Sequence, residues 1–205
     1  MRLEENQMSK RITFQFEDDL DYQMQAIHST VELFRGLSRH VDGVYRYNRI
    51  HDVTQGNPIR NNDIVVGSRL LENLRKVQLS NDLFADNVLA EGNNFTIEME
   101  TGTGKTYVYL RTILELYQEY GFRKFMIVVP SIAIRKGVEK SMEQLADHFK
   151  RLYNIDIGKH SFIYDSNNPK QISSKLVESN DLSICVLNIQ AFNKDTNKIR
   201  KEDEY

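Results

Sequence analysis

The sequence has few of the residues that mark secreted, fibrous or membrane proteins. Its 205 residues include one cysteine, three prolines and ten glycines. The single cysteine, Cys185, excludes an internal disulfide and fits a reducing compartment, and so little glycine and proline excludes collagen-like and low-complexity chains. The longest apolar stretch, residues 125–134, is broken by a proline and a serine, whereas a membrane-spanning helix needs about 20 apolar residues. With no signal-peptide core at its start, we expect a cytoplasmic protein without membrane contact.

Charge of either sign is not in excess. Lys plus Arg number 27 and Asp plus Glu number 29, a formal net charge of −2, and 40% of the residues are apolar. This balance is typical of a folded domain rather than a disordered chain. Any nucleic-acid contact must therefore come from a local surface. Residues 121–160 carry eight Lys or Arg against four Asp or Glu, which suits such a surface, although a solvated helix face would show the same balance.

Apolar spacing in the first part of the chain predicts two helices. The first is indicated by an i, i+4, i+7, i+11, i+14 pattern, with Asp19 or Asp21 able to cap its start and Gly36 its end; its apolar residues are Leu20, Met24, Ile27, Val31 and Phe34. The second runs from about residue 62 to 80. Between them, residues 37–62 lose the period and predict a long surface loop.

From Phe95 onward the pattern predicts alternating strands and helices. Strands are predicted at 95–99, 125–129, 160–164 and 182–187, and helices at 105–120, after Ser131, and at 169–178. The continuous apolar run at 125–129 is the kind that is buried on both faces of a parallel sheet. Cys185, in the last strand, is expected to be an inert small hydrophobe. The alternation predicts an α/β fold with a parallel sheet covered by helices on both faces.

The strongest motif is a glycine-bearing loop at residues 100–106, Glu-Thr-Gly-Thr-Gly-Lys-Thr. It follows a predicted strand and opens a predicted helix, the context of a phosphate-binding loop. Gly102 and Gly104 let the backbone amides surround an anion, Lys105 can reach the β- and γ-phosphates, and Thr106 can offer its hydroxyl to Mg²⁺. Met99 stands where the strict pattern has glycine, and the alternative is a chance glycine-rich turn before a helix.

A phosphate loop also needs an acidic residue at the end of a strand to hold the metal. The candidates are few: Asp165 follows a short apolar run, and the run at 184–187 ends in Asn188. Either Asp165 takes this role, or the acidic element lies beyond Tyr205 in a longer protein.

Four segments together resemble the restriction subunit of type III restriction–modification enzymes, a group of superfamily 2 helicases and translocases. They are the first motif at 16–27 (FEDDLDYQMQAI), motif I at 99–106 (METGTGKT), motif Ia at 128–135 (VVPSIAIR) and a later DNA-contacting motif at 187–192 (LNIQAF). The resemblance implies a RecA-like P-loop lobe preceded by an N-terminal helical segment. It also implies that ATP and Mg²⁺ are the cofactors and that double-stranded DNA and a methyltransferase (modification) subunit are the partners.

The resemblance assigns roles to individual residues at the nucleotide. Gln23 would read the adenine edge, because an amide both donates and accepts, and Tyr22 would stack on the base. The phosphates would bind at Thr101, Gly102, Thr103, Gly104, Lys105 and Thr106, with Lys105 and Thr106 as the catalytic pair. An exposed glutamine at a helix start and an aromatic used for packing are the structural alternatives for Gln23 and Tyr22.

The resemblance also assigns four residues to nucleic acid. Ser131 and Arg135 would hold a DNA phosphate at a helix start, and Asn188 and Gln190 would contact the strand. The alternatives are a plain helix cap with a solvated arginine, and side chains that close a loop by hydrogen bonds.

These observations lead to one organisation and one main function. We expect an N-terminal helical segment with an insertion at 1–92, a partial ATP-binding lobe at 93–192, and a polar tail at 193–205 where the chain looks truncated. In the intact enzyme, a helicase and endonuclease of a restriction system, the lobe would couple ATP hydrolysis to movement on DNA; the isolated chain would bind nucleotide weakly without hydrolysing it. A complete small P-loop kinase that uses Asp165, and a nucleotide-gated binding module without chemistry, are the alternatives.

Overall fold

The computed structural model describes residues 20–37, 39–41, 44–46, 68–86, 93–168 and 170–193. Five predictions lie wholly or partly outside the described residues: the cap at Asp19, the loop at 47–62, the start of the second helix at 62–67, the position of Pro169, and the tail from residue 194 onward. Within the described ranges, none of the helices has both the length and the apolar character needed to cross a membrane.

The first helix, α1 (Asp21–Glu32), confirms the apolar pattern of the sequence and buries Ile27 and Val31. Its predicted ends are wrong, because Leu20 rather than Asp21 is the N-cap and the C-cap is Leu33 rather than Gly36. Helix α2 (Ser68–Ser80) lies against the end of α1. There the buried amide of Asn73 donates from Nδ2 to the carbonyls of Leu33 (3.0 Å) and Arg35 (2.8 Å). Carbonyls at the end of a helix have no partner within the helix, so Asn73 completes the end of α1 and fixes α2 beside it.

The segment at 37–62 is not wholly a loop. Strands β1 (Arg39–Val41) and β2 (Val44–Arg46) pair antiparallel in a short hairpin, with Val41 opposite Val44. The prediction of a long surface loop is therefore wrong for this part. Three-residue strands are too short for an alternating pattern to stand out in the sequence.

The two long helices of the lobe begin and end where local chemistry predicts. Helix α3 (Lys105–Tyr120) ends at Gly121, which has a φ of +69° and whose N–H donates to the carbonyls of Leu116 and Tyr117, the usual end of a helix at glycine. Helix α4 (Ile132–Tyr153) begins after Ser131, whose Oγ accepts from the N–H of Ile134 at 3.2 Å, as expected of a serine cap.

The sheet of the lobe is parallel, with β5 (Ser183–Asn188) between β3 (Lys124–Val129) and β4 (Ser161–Ile163). Val129 lies opposite Asn188, and Ile163 opposite Val186. The carboxyl ends of β3 and β5 therefore meet at one edge of the sheet. The remaining short elements are α5 (Ile157–His160), α6 (Lys170–Ile172) with a π-helical turn at Ser173–Glu178, and α7 (Gln190–Asn193).

Strand β5 is covered on both faces, which confirms the predicted layering. Ile184 and Val186 pack with the cluster formed by α1, α3 and α4, while Cys185 and Leu187 pack against Ile172 and Leu176 on the other side. The four strand residues are 0% exposed. Burial raises the pKa of the Cys185 thiol to about 11, so the thiol stays protonated, in keeping with an inert hydrophobe.

Two of the predicted strands differ in the structure. β3 is not buried on both faces, because the cluster around Ile172 covers only β5 and β4 and leaves Met126 and Val128 49% and 44% exposed. Residues 95–99 form no strand in the described structure, and Ile97 is 50% exposed. An alternating pattern selects a pleated surface but supplies no partner to pair with it.

Candidate nucleotide and nucleic-acid sites

The loop at residues 100–104 has the backbone that its glycines allow. Gly102 and Gly104 have φ values of +87° and +84°, in the left-handed region that side chains disfavour. Thr103 Oγ1 donates to the carbonyl of Glu100 at 2.7 Å and ties the turn to itself. Gly104 precedes α3 and provides no side-chain cap. A helix start without a side-chain cap suits a phosphate.

Gln23 reaches the same loop from α1. It is 7% exposed, and its Nε2 donates to the carbonyl of Thr103 at 2.9 Å. It is therefore not the exposed glutamine that one alternative supposed. Its reading of adenine stays a prediction. Tyr22, beside it, is 47% exposed and does not line the cavity described next.

A cavity of about 460 Å³ lies beside the loop. Its loop side includes the exposed Lys105 and the half-buried Thr106. Burial raises the pKa of the Tyr109 phenol, and a hydrogen bond with Thr106 partly offsets this shift. The full lining is Thr101, Gly102, Gly104, Lys105, Thr106, Tyr107, Ser141, Gln144 and Leu145.

The second wall of this cavity is absent from the predicted site. Ser141, Gln144 and Leu145 of α4 face the loop across the cavity. Their i, i+3, i+4 spacing places them on one helix face, but that face also carries the core residues Val138 and Met142. In the sequence, these three residues therefore look like part of the core-facing side of α4. Their position at the cavity is evident only from the packing of α4 beside α3.

The four residues predicted to bind nucleic acid lie at one edge of the sheet. Ser131 follows β3, Asn188 ends β5 opposite Val129, and Gln190 donates from Nε2 to the carbonyl of Pro130 at 3.1 Å. Arg135 lies one turn into α4. The Nε of Arg135 and the Oδ1 of Asn188 are buried without a hydrogen-bond partner among the described residues, a costly state that calls for an explanation.

Comparison with known proteins then decides the family. A family model described as "Type III restriction enzyme, res subunit" matches residues 18–205. The chain belongs to this family. The match confirms the resemblance carried by the four motifs, and the α/β lobe described above is consistent with its helicase-type fold.

Three restriction subunits show the extent of the similarity. The type III restriction-modification enzyme EcoPI Res subunit of Escherichia phage P1 is 28% identical over 177 residues, 84% of this chain and 17% of its own length. The EcoP15I Res subunit of Escherichia coli is 32% identical over 111 residues, 52% of this chain and 11% of its own. The StyLTI Res subunit of Salmonella typhimurium is 47% identical over 62 residues, which are 29% of this chain and 6% of the length of that subunit. The aligned part thus spans less than a fifth of each relative.

A polar network joins the two long helices of this Res-family lobe. Arg111 donates from Nε to the Tyr153 hydroxyl and from Nη1 to the Tyr107 hydroxyl, both at 2.8 Å. The Tyr153 hydroxyl donates in turn to Glu115 at 2.6 Å. Burial, and then Glu115, raise the pKa of Tyr153. Burial alone would lower the pKa of Arg111, but Tyr153 and Tyr107 outweigh it and raise that pKa.

The network was not predicted, although the sequence carries a signal for it. Tyr107, Arg111 and Glu115 are spaced by four residues and form one polar stripe on α3, a helix whose other faces are largely apolar. Tyr107 is at once a cavity residue and the partner of His148, which lies 3.2 Å from its hydroxyl at Nε2. The network therefore fixes the cavity wall as well as the two helices.

Asp165, the candidate metal ligand of the kinase alternative, lies away from the cavity. It follows β4, on the far side of β5 from β3, and does not line the cavity. Its Oδ1 accepts from the N–H of Asn167 at 2.9 Å and from the Asn167 amide at 3.0 Å. This is the usual work of an aspartate in a turn, and nothing about Asp165 favours the kinase.

Proposed function

We propose that this chain is the nucleotide-binding part of a motor that couples ATP hydrolysis to movement on double-stranded DNA within a larger type III restriction enzyme. The observation that carries the proposal is the loop with two left-handed glycines, which opens α3 beside a cavity of about 460 Å³. That volume lies within the range of small-molecule sites. The Res-family match supports the same reading of the loop.

The loop residues divide the work of holding a triphosphate. The Lys105 ammonium neutralises charge on the β- and γ-phosphates, and the backbone amides at the start of α3 bind phosphate oxygens. The Thr106 hydroxyl, which lines the cavity, suits a ligand of Mg²⁺, and the metal when bound offsets the charge that develops on the transferred phosphoryl group. Thr101 and Thr103 shape the turn that presents these groups.

The isolated chain is proposed to bind nucleotide without hydrolysing it. Hydrolysis needs a group that positions the attacking water and an acidic residue that holds the metal. Among the described residues, no carboxylate lines the cavity, and no cluster of three or more His, Cys, Asp or Glu side chains could hold a metal ion. The acidic residue is expected from the rest of the enzyme.

The edge formed by Ser131, Arg135, Asn188 and Gln190 is proposed to bind the DNA backbone. A phosphate at the start of α4 would meet the helix dipole and the guanidinium together. The full enzyme is proposed to act with a modification subunit and to cleave DNA, as the names of the relatives as restriction-modification enzymes suggest.

The decisive test is Lys105→Ala, with Lys140→Ala as its control. Lys140 is exposed on α4 and does not line the cavity, so both variants lose one positive charge. We expect calorimetry with Mg·ATP to show at least about tenfold weaker binding for Lys105→Ala, worth about 1.4 kcal/mol, and little change for Lys140→Ala. Phosphate release should be absent in all three proteins. Equal weakening by both variants, or release by the parent chain above Lys105→Ala, contradicts the proposal.

A further inference from the structure

The wall of the cavity opposite the phosphate loop is polar where it is accessible. Ser141 is half-buried and Gln144 is exposed, whereas Leu145 below them is 4% exposed. Ser141 and Gln144 are three residues apart on α4, so their β-carbons lie about 5–6 Å apart on one helix face. The wall thus presents a hydroxyl and an amide, side by side, toward the loop.

The two side chains have hydrogen-bonding capacity left for a ligand. The Ser141 hydroxyl donates to the carbonyl of Gly137 at 2.9 Å, so its oxygen can still accept. The Gln144 amide makes no hydrogen bond within the described part of the chain and can both donate and accept. Tyr107 lines the same cavity from α3, and its hydroxyl already accepts a hydrogen bond from Arg111.

These features suit a sugar better than a base. A base needs a flat apolar or aromatic face to stack on, but the aromatic residue of the cavity, Tyr107, is only 7% exposed. The ribose follows directly after the phosphates that the loop would hold, and its two neighbouring hydroxyls match an acceptor beside an amide. On the basis of the proposed function, we infer that Ser141 and Gln144 bind the ribose hydroxyls and make the site selective for ribonucleoside triphosphates.

The test compares the affinities of ATP, 2′-deoxy-ATP and 3′-deoxy-ATP for the parent chain and three variants, Ser141→Ala, Gln144→Leu and Glu143→Leu. Glu143 is the exposed neighbour of Gln144 and does not line the cavity. We expect the parent to bind ATP about five- to tenfold more tightly than at least one deoxy analogue, the effect of one hydrogen bond. Two ratios are measured for each protein: the affinity for ATP over that for 2′-deoxy-ATP, and the affinity for ATP over that for 3′-deoxy-ATP. Ser141→Ala and Gln144→Leu should each bring one of these ratios toward one, while Glu143→Leu should leave both as they are in the parent chain.

The outcomes separate this inference from the function on which it rests. Lys105→Ala should weaken the binding of all three nucleotides by the same factor, because Lys105 would contact the phosphates and not the sugar. If binding depends on Lys105 but the parent chain shows no preference among the three nucleotides, the inference alone is overturned. The same holds if neither Ser141→Ala nor Gln144→Leu changes the affinity ratios. Binding that ignores Lys105, or no binding by a chain that circular dichroism shows to be folded, overturns the proposed function and the inference with it.

Discussion

At the scale of single residues, the conformation of the loop at 100–104 requires a residue without a side chain at Gly104. A β-carbon at this position would stand 2.5 Å from Nε2 of Gln23. The Gln23 amide could move away only by giving up its 2.9 Å bond to the Thr103 carbonyl. We expect Gly104→Ala to lower the free energy of unfolding by about 2–3 kcal/mol, from backbone strain at a positive φ plus the lost hydrogen bond, as measured by urea denaturation.

Gly102 provides the matched control for this prediction. It has nearly the same φ, but a β-carbon there would meet nothing within 4 Å. Gly102→Ala should therefore cost only the backbone strain, about 1 kcal/mol. In a Gln23→Ala background the two alanine substitutions should cost the same. If Gly104→Ala remains the more costly of the two in that background, Gln23 is not the reason for the glycine.

At the scale of secondary-structure elements, the sequence predicts those helix ends that depend on neighbouring residues in the chain. The bounds of α3 follow from the loop before Lys105 and from Gly121, and the start of α4 follows from the Ser131 cap. Residues 95–99 and β3 were predicted less well, because their burial depends on which elements lie beside them. For the same reason the loop side of the cavity was predicted and its α4 wall was not.

The contact between α3 and α4 rests on a hydroxyl that can be removed without changing shape. Tyr153→Phe deletes the acceptor of Arg111 and the donor to Glu115. We expect a loss of about 1 kcal/mol or somewhat more in the free energy of unfolding, because the half-buried Arg111 and Glu115 each lose a hydrogen bond. Tyr164→Phe is the control: the Tyr164 hydroxyl is buried without a hydrogen-bond partner among the described residues, so its removal breaks no hydrogen bond and should leave the free energy of unfolding unchanged or raise it.

The pH dependence of the stability difference between the parent chain and Tyr153→Phe gives a second check. The pKa of Tyr153 in the folded protein is raised above its ordinary value of 10.0, so the contribution of its protonated hydroxyl is complete below about pH 10 and is lost as the pH rises further. The stability difference between the parent chain and Tyr153→Phe should therefore narrow above pH 10. A difference that stays constant to pH 11 would mean that the phenol is not held in its protonated form by the fold.

At the scale of the whole molecule, the charge distribution sets how the chain can meet DNA. The net charge of −2 gives no general attraction, so the DNA binding proposed above would have to come from a local surface such as the sheet edge near Arg135. α4 connects the two proposed sites, since its start carries Arg135 and its middle lines the cavity. One helix, joined to α3 by the hydrogen bond between Arg111 and Tyr153, therefore spans from the proposed DNA edge to the proposed nucleotide site.

Arg135 is the residue whose removal separates a specific phosphate contact from general charge. We expect Arg135→Ala to weaken binding of double-stranded DNA equally across sequences and to lower the slope of log affinity against log salt by about one, measured by fluorescence anisotropy at low ionic strength. Arg151→Ala removes the same charge from the exposed, opposite end of α4 and should leave the slope nearly unchanged. Equal slopes for the parent chain and both variants would place Arg135 in solvent or in the packing of α4. Equal reductions by both would show that DNA meets the basic surface as a whole rather than the edge formed by β3 and β5.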